Sequence, residues 1–161
     1  MAAQKLGFED FISTVDGESS AFVRELHGLF MEHGCKLEVK EAKSGYVVSY
    51  LLDKKAVMNY VFRKKGLLVR IYANNVGGYL DVLETLPRGM IDTLRAAPDC
   101  KRLTGSADCS SRCVMGCDII LDGERYQKCR YNAFLFVVCG ENNPSIRTLL
   151  ARELALRAQA H

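Results

Sequence analysis

Four short segments between residues 35 and 74 constrain the fold more than any other feature of the chain. They read CKLEVKEA, YVVSYLLD, AVMNYVFR and LLVRIYAN. Each is rich in β-branched and aromatic residues, which are enriched in strands. The links between them are only two or three residues long. Links this short join antiparallel neighbours and exclude crossover connections. The pattern therefore predicts a four-stranded antiparallel meander.

Apolar residues recur at helical spacing before and after this meander in the sequence. The stretch SSAFVRELHGLFMEHG predicts a first helix, with Ser19 or Ser20 as its cap and Gly34 at its left-handed stop. A short helical turn over FEDFIS precedes it. After the meander, the helical pattern of VGGYLDVLETLPRGMIDTLRAAPDC is divided into two helices by Pro87. The closing stretch NPSIRTLLARELALRAQ predicts a last helix with Asn143 as its cap.

A further hairpin is predicted between the third and the last helix. CDIILDG and ERYQKCRYNAFLFVVCG flank Asp122-Gly123, a dipeptide that favours two-residue turns. The order of elements is then α-β-β-β-β-α-α-β-β-α. We predict an α+β fold, with a mostly antiparallel sheet and helices packed on it. A chain of 161 residues suits one domain over residues 1–161, with a cysteine-rich segment at residues 100–129.

Composition and charge exclude several classes of protein. The 22 basic and 19 acidic residues give a net charge of +3, which is too small to indicate a nucleic-acid-binding domain. No segment approaches the roughly 20 apolar residues that a membrane span requires. The first twenty residues contain several charges and no apolar run, unlike a secretory signal. We therefore expect a cytoplasmic protein without nucleic-acid or membrane partners.

The cysteines are strongly clustered. Five of the seven lie in the cysteine-rich segment, with the spacing Cys100-x8-Cys109-x3-Cys113-x3-Cys117-x11-Cys129. Cytoplasmic thiols stay reduced, and an odd number of cysteines fits a disulfide framework poorly. The clustering therefore favours metal binding or thiol chemistry. Cys35 and Cys139 are flanked by apolar residues elsewhere in the chain and are predicted to be core thiols.

A structural zinc site is the first interpretation of this segment. Zinc takes four tetrahedral ligands, with zinc–sulfur distances of about 2.3 Å. Cys109 and Cys113 can form one pair in a polar loop, and Cys100 before the loop and Cys129 on the strand after it can supply the other two. Cys117 is a substitute ligand in place of Cys100. Such a site would hold a long irregular connection against the sheet.

A thiol-dependent redox or metal-handling protein is the alternative. In that interpretation Cys109, Cys113 and Cys117 react, because cysteines with three residues between them share one face of a helix. Disulfide formation within the segment and unconnected thiols are further possibilities. The nearby basic residues that would favour thiolates are Arg112, Lys128 and Arg130.

Tyrosines recur on the predicted meander with the alternation of a strand face. A face that mixes aromatic rings with an arginine suits a ligand cleft or an interface. The alternative is that helices cover both faces of the sheet. The predicted face for a small molecule or a protein partner consists of Tyr46, Tyr50, Tyr60, Phe62, Arg70 and Tyr72.

Catalytic signatures are not evident in the sequence. Of the three histidines, His161 is terminal, His33 ends the first helix, and His27 is expected at the rim of that helix. The glycines of NNVGGY lack the spacing of a phosphate-binding loop. We therefore expect a binding module rather than an enzyme. An enzyme that acts on a small molecule in a sheet-face pocket is the remaining alternative.

Several stretches resemble known bacterial proteins. CKR, CSSRC and GERYQKCRYNAFLFVV resemble an uncharacterised group of cysteine-rich proteins that is common in gut Firmicutes. This resemblance follows the whole chain and implies a bacterial protein but no particular activity. GYVVSYLLDKKAVMNYVFRKKGLLVRIYAN and IRTLLARELALR are similar in order to small YdhG-like and frataxin-like α+β domains. Those domains are linked to iron handling through acidic surfaces, whereas this chain carries a positive net charge.

Overall fold

The computed structural model describes residues 7–42, 45–63, 66–100, 103 and 116–159. It confirms the predicted α+β fold. A mostly antiparallel five-stranded sheet is accompanied by a separate two-stranded hairpin and by several helices. The elements follow one another in the predicted order.

The helices and strands have the following bounds. The helices are α1 (Phe8–Ile12), α2 (Gly17–Glu32), α3 (Leu80–Leu83), α4 (Arg88–Ala96), α5 (Arg130–Ala133) and α6 (Asn143–Gln159), with a 3-10 helix at Val76–Gly78. The strands are β1 (Lys36–Ala42), β2 (Gly45–Leu52), β3 (Lys55–Arg63), β4 (Gly66–Ile71), β5 (Gly116–Leu121), β6 (Glu124–Cys129) and β7 (Leu135–Val137).

The start of α2 differs from the prediction. Asp16, rather than Ser19 or Ser20, is the cap, because its Oδ1 accepts a hydrogen bond from the backbone N–H of Ser19 at 2.9 Å. This hydrogen bond also lowers the pKa of the Asp16 carboxyl. The predicted stop is confirmed, since Gly34 has a φ of +76° just after the helix.

Two tight turns set the register at the closed ends of their hairpins, and between β2 and β3 a bulge at Tyr50/Leu51 then shifts the register by one residue. Asp53 and Lys54, between β2 and β3, have φ values of +52° and +69°. Asp122 and Gly123, between β5 and β6, have values of +50° and +78°, at the predicted turn. Positive φ at two successive residues is typical of the turns that match the twist of antiparallel strands.

The stretch ERYQKCRYNAFLFVVCG is divided between the two sheets. Its first part is β6, which stays with β5, and its last part contains β7, which pairs with β4. The short helix α5 lies between them. Because β7 completes the order β1-β2-β3-β4-β7, the chain has to leave the hairpin at α5. Sheet membership therefore changes within one continuous stretch that the sequence predicts as a single strand.

The register defines two faces of the five-stranded sheet. Residues that lie opposite each other in an antiparallel pair point to the same side. One face, which we call the helix-covered face, packs against α1 and α2; a row across it consists of Val48, Tyr60, Val69 and Phe136. On the other side, which we call the opposite face, the adjacent row consists of Ser49, Asn59, Arg70 and Leu135.

A buried carboxylate ties α6 to the loop that follows β4. Glu153 has no exposed surface, and it accepts hydrogen bonds from Asn75 N (2.9 Å), Asn75 Nδ2 (2.7 Å) and Tyr79 Oη (2.9 Å). Arg157 Nε donates to Glu153 Oε2 at 2.8 Å, and its Nη2 donates to the Tyr72 carbonyl. This network holds residues 72–79 in place beside the hairpin.

Candidate functional site

Three of the predicted cysteines come together at the open end of the hairpin. Cys129, the last residue of β6, lies opposite Gly116, and Cys117 follows Gly116 on β5. The backbone N–H of Cys100 donates to the Gln127 carbonyl on β6 at 2.7 Å. We call Cys100, Cys117 and Cys129 the cysteine cluster. Cys129 shares one face of the hairpin with Gly116, whereas the side chain of Cys117 points to the other face.

Cys100 and Gly116 lie in direct contact. A Cβ atom on residue 116 would lie 2.8 Å from Cys100 Sγ and 3.1 Å from Leu103 Cδ1, so any larger residue here would require the Cys100 side chain to shift. Residues 101–115, which we call the connector, therefore begin and end at the same place. Cys109 and Cys113 belong to the connector and lie outside the described residues.

The thiols of the cluster are shielded from water. Cys100 and Cys117 are 4% and 7% exposed, and Cys129 is half-buried. Burial raises the pKa of the Cys117 thiol, and the neighbouring Cys129 and Cys100 raise it further. The backbone N–H of Lys128 and the guanidinium of Arg130 oppose this shift without cancelling it. Cys117 is therefore protonated at neutral pH unless a cation binds beside it.

Lys128 has a structural role rather than the predicted electrostatic one. Its Nζ donates to the Arg95 carbonyl (3.1 Å), the Ala97 carbonyl (2.8 Å) and Asp99 Oδ1 (2.8 Å). The last carbonyl oxygens of a helix lack intrahelical partners and carry partial negative charge, so they favour a cationic side chain. Lys128 therefore fastens the C-terminal end of α4 to the hairpin, and its charge is directed towards these oxygens.

A pocket of about 330 Å³ opens beside the cluster. The loop held by Glu153 forms one side, and the start of β5 forms the other. Arg130 is buried there, and its Nη1 donates to the Ala73 carbonyl at 3.1 Å and to Asn74 Oδ1 at 3.2 Å. The residues that line the pocket include Asn74, Gly77, Gly116, Cys117 and Arg130.

The predicted zinc ligands are only partly placed by the structure. Cys100 and Cys129 lie in the cluster, as does the substitute ligand Cys117, whereas Cys109 and Cys113 are not among the described residues. Within the described part of the chain, no group of three His, Cys, Asp or Glu side chains is arranged to hold a metal ion.

The predicted tyrosine-rich face is corrected by the register. Tyr60 lies opposite Val69, so the next residue, Arg70, points to the other side of the sheet. The six residues are divided accordingly. Tyr46, Tyr50, Tyr60 and Phe62 belong to the helix-covered face, and Arg70 and Tyr72 belong to the opposite face.

Tyr50 and Tyr60 are core residues rather than ligand contacts. Tyr50 stacks on Phe30 of α2, with ring centroids 4.2 Å apart, and its hydroxyl is hydrogen-bonded to His27 Nδ1 at 2.8 Å. Tyr60 packs against Phe11 of α1 at 5.0 Å. Burial raises the pKa of both tyrosines and lowers that of His27. Sequence periodicity had placed His27 at the helix rim, and nothing in the sequence indicates its contact with Tyr50.

The opposite face retains a polar group near its centre. Asn59 Nδ2 donates to Tyr72 Oη at 3.1 Å, and Arg70 lies opposite Asn59 in the strand pairing. Arg70 is buried, and the buried Asn59 Oδ1 has no hydrogen-bond partner among the described residues. Val47 on β2 is exposed. Of the predicted ligand-face residues, only Arg70 and Tyr72 therefore lie on the opposite face, and Asn59 lies beside them.

The two isolated cysteines differ from each other. Cys35 is buried, as predicted, and burial raises its pKa to about 11. Cys139 is exposed, so its prediction as a core thiol is wrong. The strand β7 ends at Val137, and the chain then turns into α6, where the backbone N–H of Cys139 donates to Asn143 Oδ1 at 3.0 Å.

Comparisons with family models, with curated proteins and with solved structures give no match. None of the helices in the described residues has the length and apolar character needed to cross a membrane. The proposals that follow therefore depend on the geometry and chemistry of this chain alone.

Proposed function

We propose that the protein is a cytoplasmic, non-enzymatic binding module with one structural zinc ion. The ion is bound by Cys100, Cys109, Cys113 and Cys129 and fastens the connector to the hairpin. The module binds a small ligand or a protein partner. The observation that carries the metal proposal is the position of the cysteine cluster, at the point where the connector begins and ends.

The environment of Cys100 and Cys129 supports a bound cation. Cys100 is buried and Cys129 is half-buried. A zinc ion binds cysteines as thiolates and compensates their charge where water is largely excluded. A long connection without a regular hydrophobic pattern also gains order when a metal links its residues. The ion would link Cys109 and Cys113 of the connector to a fixed cluster.

The free thiols of the described residues support the proposed cytoplasmic location. Cys35, Cys117, Cys129 and Cys139 are not joined in disulfides. Free thiols persist in the reducing cytoplasm and are oxidised in secreted proteins.

The opposite face supports the ligand-binding part of the proposal. Asn59 Oδ1 is a buried acceptor without a partner among the described residues, and such groups are costly unless a donor reaches them. A ligand N–H or O–H group would satisfy this oxygen. Arg70 lies opposite Asn59 in the strand pairing, and its positive charge favours an anionic over a cationic ligand on this face.

Zinc content and thiol reactivity test the metal proposal. We expect one zinc ion per chain in protein purified without chelator, and loss of that zinc in Cys109→Ser, Cys113→Ser and Cys129→Ser. Cys139→Ser is the matched control, because it removes an exposed thiol outside the cluster and should keep the full zinc content. A wild-type protein that contains no metal would exclude the proposal.

The choice between Cys100 and Cys117 is decided by a second pair of variants. If Cys100 is the ligand, Cys117→Ser keeps the zinc and Cys100→Ser loses it. The reverse result assigns Cys117 as the fourth ligand and retains the site.

A thiol-dependent redox or metal-handling protein is the second candidate, and the neighbouring backbone positions of Cys100, Cys117 and Cys129 at one end of the hairpin favour it. In that case Cys109, Cys113 and Cys117 react, the purified protein contains no zinc, and two or three thiols react rapidly with Ellman's reagent. The raised pKa of Cys117 weighs against it, because the thiolate is the nucleophile.

A further inference from the structure

The strand β1 forms one edge of the five-stranded sheet. It pairs with β2 on one side, and no strand of the described residues pairs with it on the other. Its seven residues therefore present a row of backbone donors and acceptors along the outer side. Such an edge is a template for pairing with another chain unless charge or shape prevents it.

The charges on β1 alternate in sign. Lys36, Glu38 and Lys40 lie opposite Leu51, Ser49 and Val47 of β2, and they share the opposite face of the sheet. An edge protected by lysines alone repels its own copy. This edge instead places one carboxylate between two ammonium groups, so its compatibility with a second copy depends on the register.

We propose that β1 pairs with β1 of a second copy, antiparallel and about a two-fold axis through Val39. In this register Val39 faces its own equivalent, and Glu38 faces Lys40 of the second copy. The two-fold symmetry forms this Glu–Lys pair twice. The contact is isologous and closed, as in most homodimers, and it joins two five-stranded sheets edge to edge.

Other registers are less favourable. An axis through Glu38 sets Lys36 against Lys40 and Glu38 against Glu38. An axis through Lys40 sets two Lys40 ammonium groups against each other. An axis through Leu37 pairs Lys36 with Glu38, but it overlaps only three residues of β1. A shift by a single residue would bring the helix-covered face of one copy beside the opposite face of the other. Full overlap and opposite charges therefore coincide only at Val39.

Charge reversal with rescue tests the register. We expect Glu38→Lys and Lys40→Glu each to raise the dimer dissociation constant by about 10-fold, since each creates two like-charge pairs across the axis. The double variant Glu38→Lys with Lys40→Glu restores opposite charges and should return to the wild-type constant. Sedimentation equilibrium at several chain concentrations gives these constants.

Lys36→Glu is the matched control. In the proposed register Lys36 lies opposite Ala42, so its charge reversal should leave the dissociation constant unchanged. All four variants change side chains on a strand edge, and far-UV circular dichroism verifies that they fold. A monomeric wild-type protein, a double variant no tighter than the single ones, or an equal effect of Lys36→Glu would overturn the proposal.

Discussion

A single carboxylate, that of Glu153, holds the C-terminal helix in place. It is fully buried and accepts four hydrogen bonds, from the backbone and side chain of Asn75, from Tyr79 and from Arg157. Arg157 in turn donates to the carbonyls of Ala56 and Tyr72. Buried charges are tolerated only when they are paired and hydrogen-bonded, and this network meets both conditions. One residue thus connects α6, the loop after β4 and the start of β3.

Removal of this carboxylate should destabilise the whole fold. Glu153→Ala leaves the Arg157 guanidinium buried without its counter-charge, and breaking such a pair costs about 3–5 kcal/mol. Arg152→Ala is the control, because Arg152 precedes Glu153 on α6 but makes only exposed contacts, an ion pair with Asp81 of α3 and a hydrogen bond to the Gly78 carbonyl, so its loss should cost less than about 1 kcal/mol. Urea unfolding of the three proteins measures both changes. Equal losses in the two variants would contradict a special role for Glu153.

At the scale of elements, the alternation of side chains along a strand and the residues typical of tight turns were sufficient to predict most strands. The meander and the turn at Asp122-Gly123 follow from local patterns, because a strand period of two and a two-residue turn are encoded by neighbouring residues. The division of ERYQKCRYNAFLFVVCG was not predictable in this way. An apolar run does not encode which sheet it joins, and only the pairing of β7 with β4 decides it.

The same reasoning explains what was and was not predicted at the candidate sites. Clustered cysteines are visible in the sequence, and Cys100 and Cys129 lie at the same end of the hairpin, whereas the pairing directs Cys117 to its other face. The tyrosine-rich face was wrong because faces on different strands are related by register, which the sequence alone did not fix. Tyr60 lies opposite Val69, and Arg70 is the next residue along β4. Arg70 therefore points to the opposite face, away from the core residues around Tyr60.

The contact between Cys100 and Gly116 gives a prediction for the hairpin. Gly116→Ala places a methyl group 2.8 Å from Cys100 Sγ, and overpacking of this kind costs about 1–3 kcal/mol. Gly89→Ala in α4 is the control, since its Cβ meets no atom within 4 Å and alanine should stabilise the helix by about 0.4–1 kcal/mol. Thermal unfolding should move in opposite directions for the two variants. A neutral Gly116→Ala would show that the cluster rearranges without cost.

At the scale of the whole molecule, the two sheets are secured differently. The five-stranded sheet is covered by α1 and α2, through contacts such as Phe11 on Tyr60 and Phe30 on Tyr50. Within the described residues the hairpin consists of two strands with one bridge from Asp99 to Lys128, and isolated two-stranded hairpins are marginally stable. It depends on its packing, on Lys128 at the end of α4 and, in our proposal, on zinc.

The rates of amide hydrogen exchange should differ between the two sheets. We expect amides of β3 and β4 to exchange only through global unfolding, and amides of β5 and β6 to exchange faster through local opening. Chelation of zinc should accelerate the hairpin amides and leave those of β3 and β4 unchanged. Mass spectrometry of peptides from the two regions, with and without chelator, measures this difference. Equal acceleration in both regions would indicate that any metal supports the entire fold instead of the hairpin.

The meeting of Cys100 with Gly116 has a consequence for how such a chain can diversify. Since the connector leaves and re-enters the framework at one spot, its length imposes no demand on the path of the strands, and the entropy of closing a longer loop rises only slowly. Residues of the connector other than the proposed ligands Cys109 and Cys113 can therefore be exchanged as a cassette. New recognition properties could be installed there while the scaffold beneath stays the same.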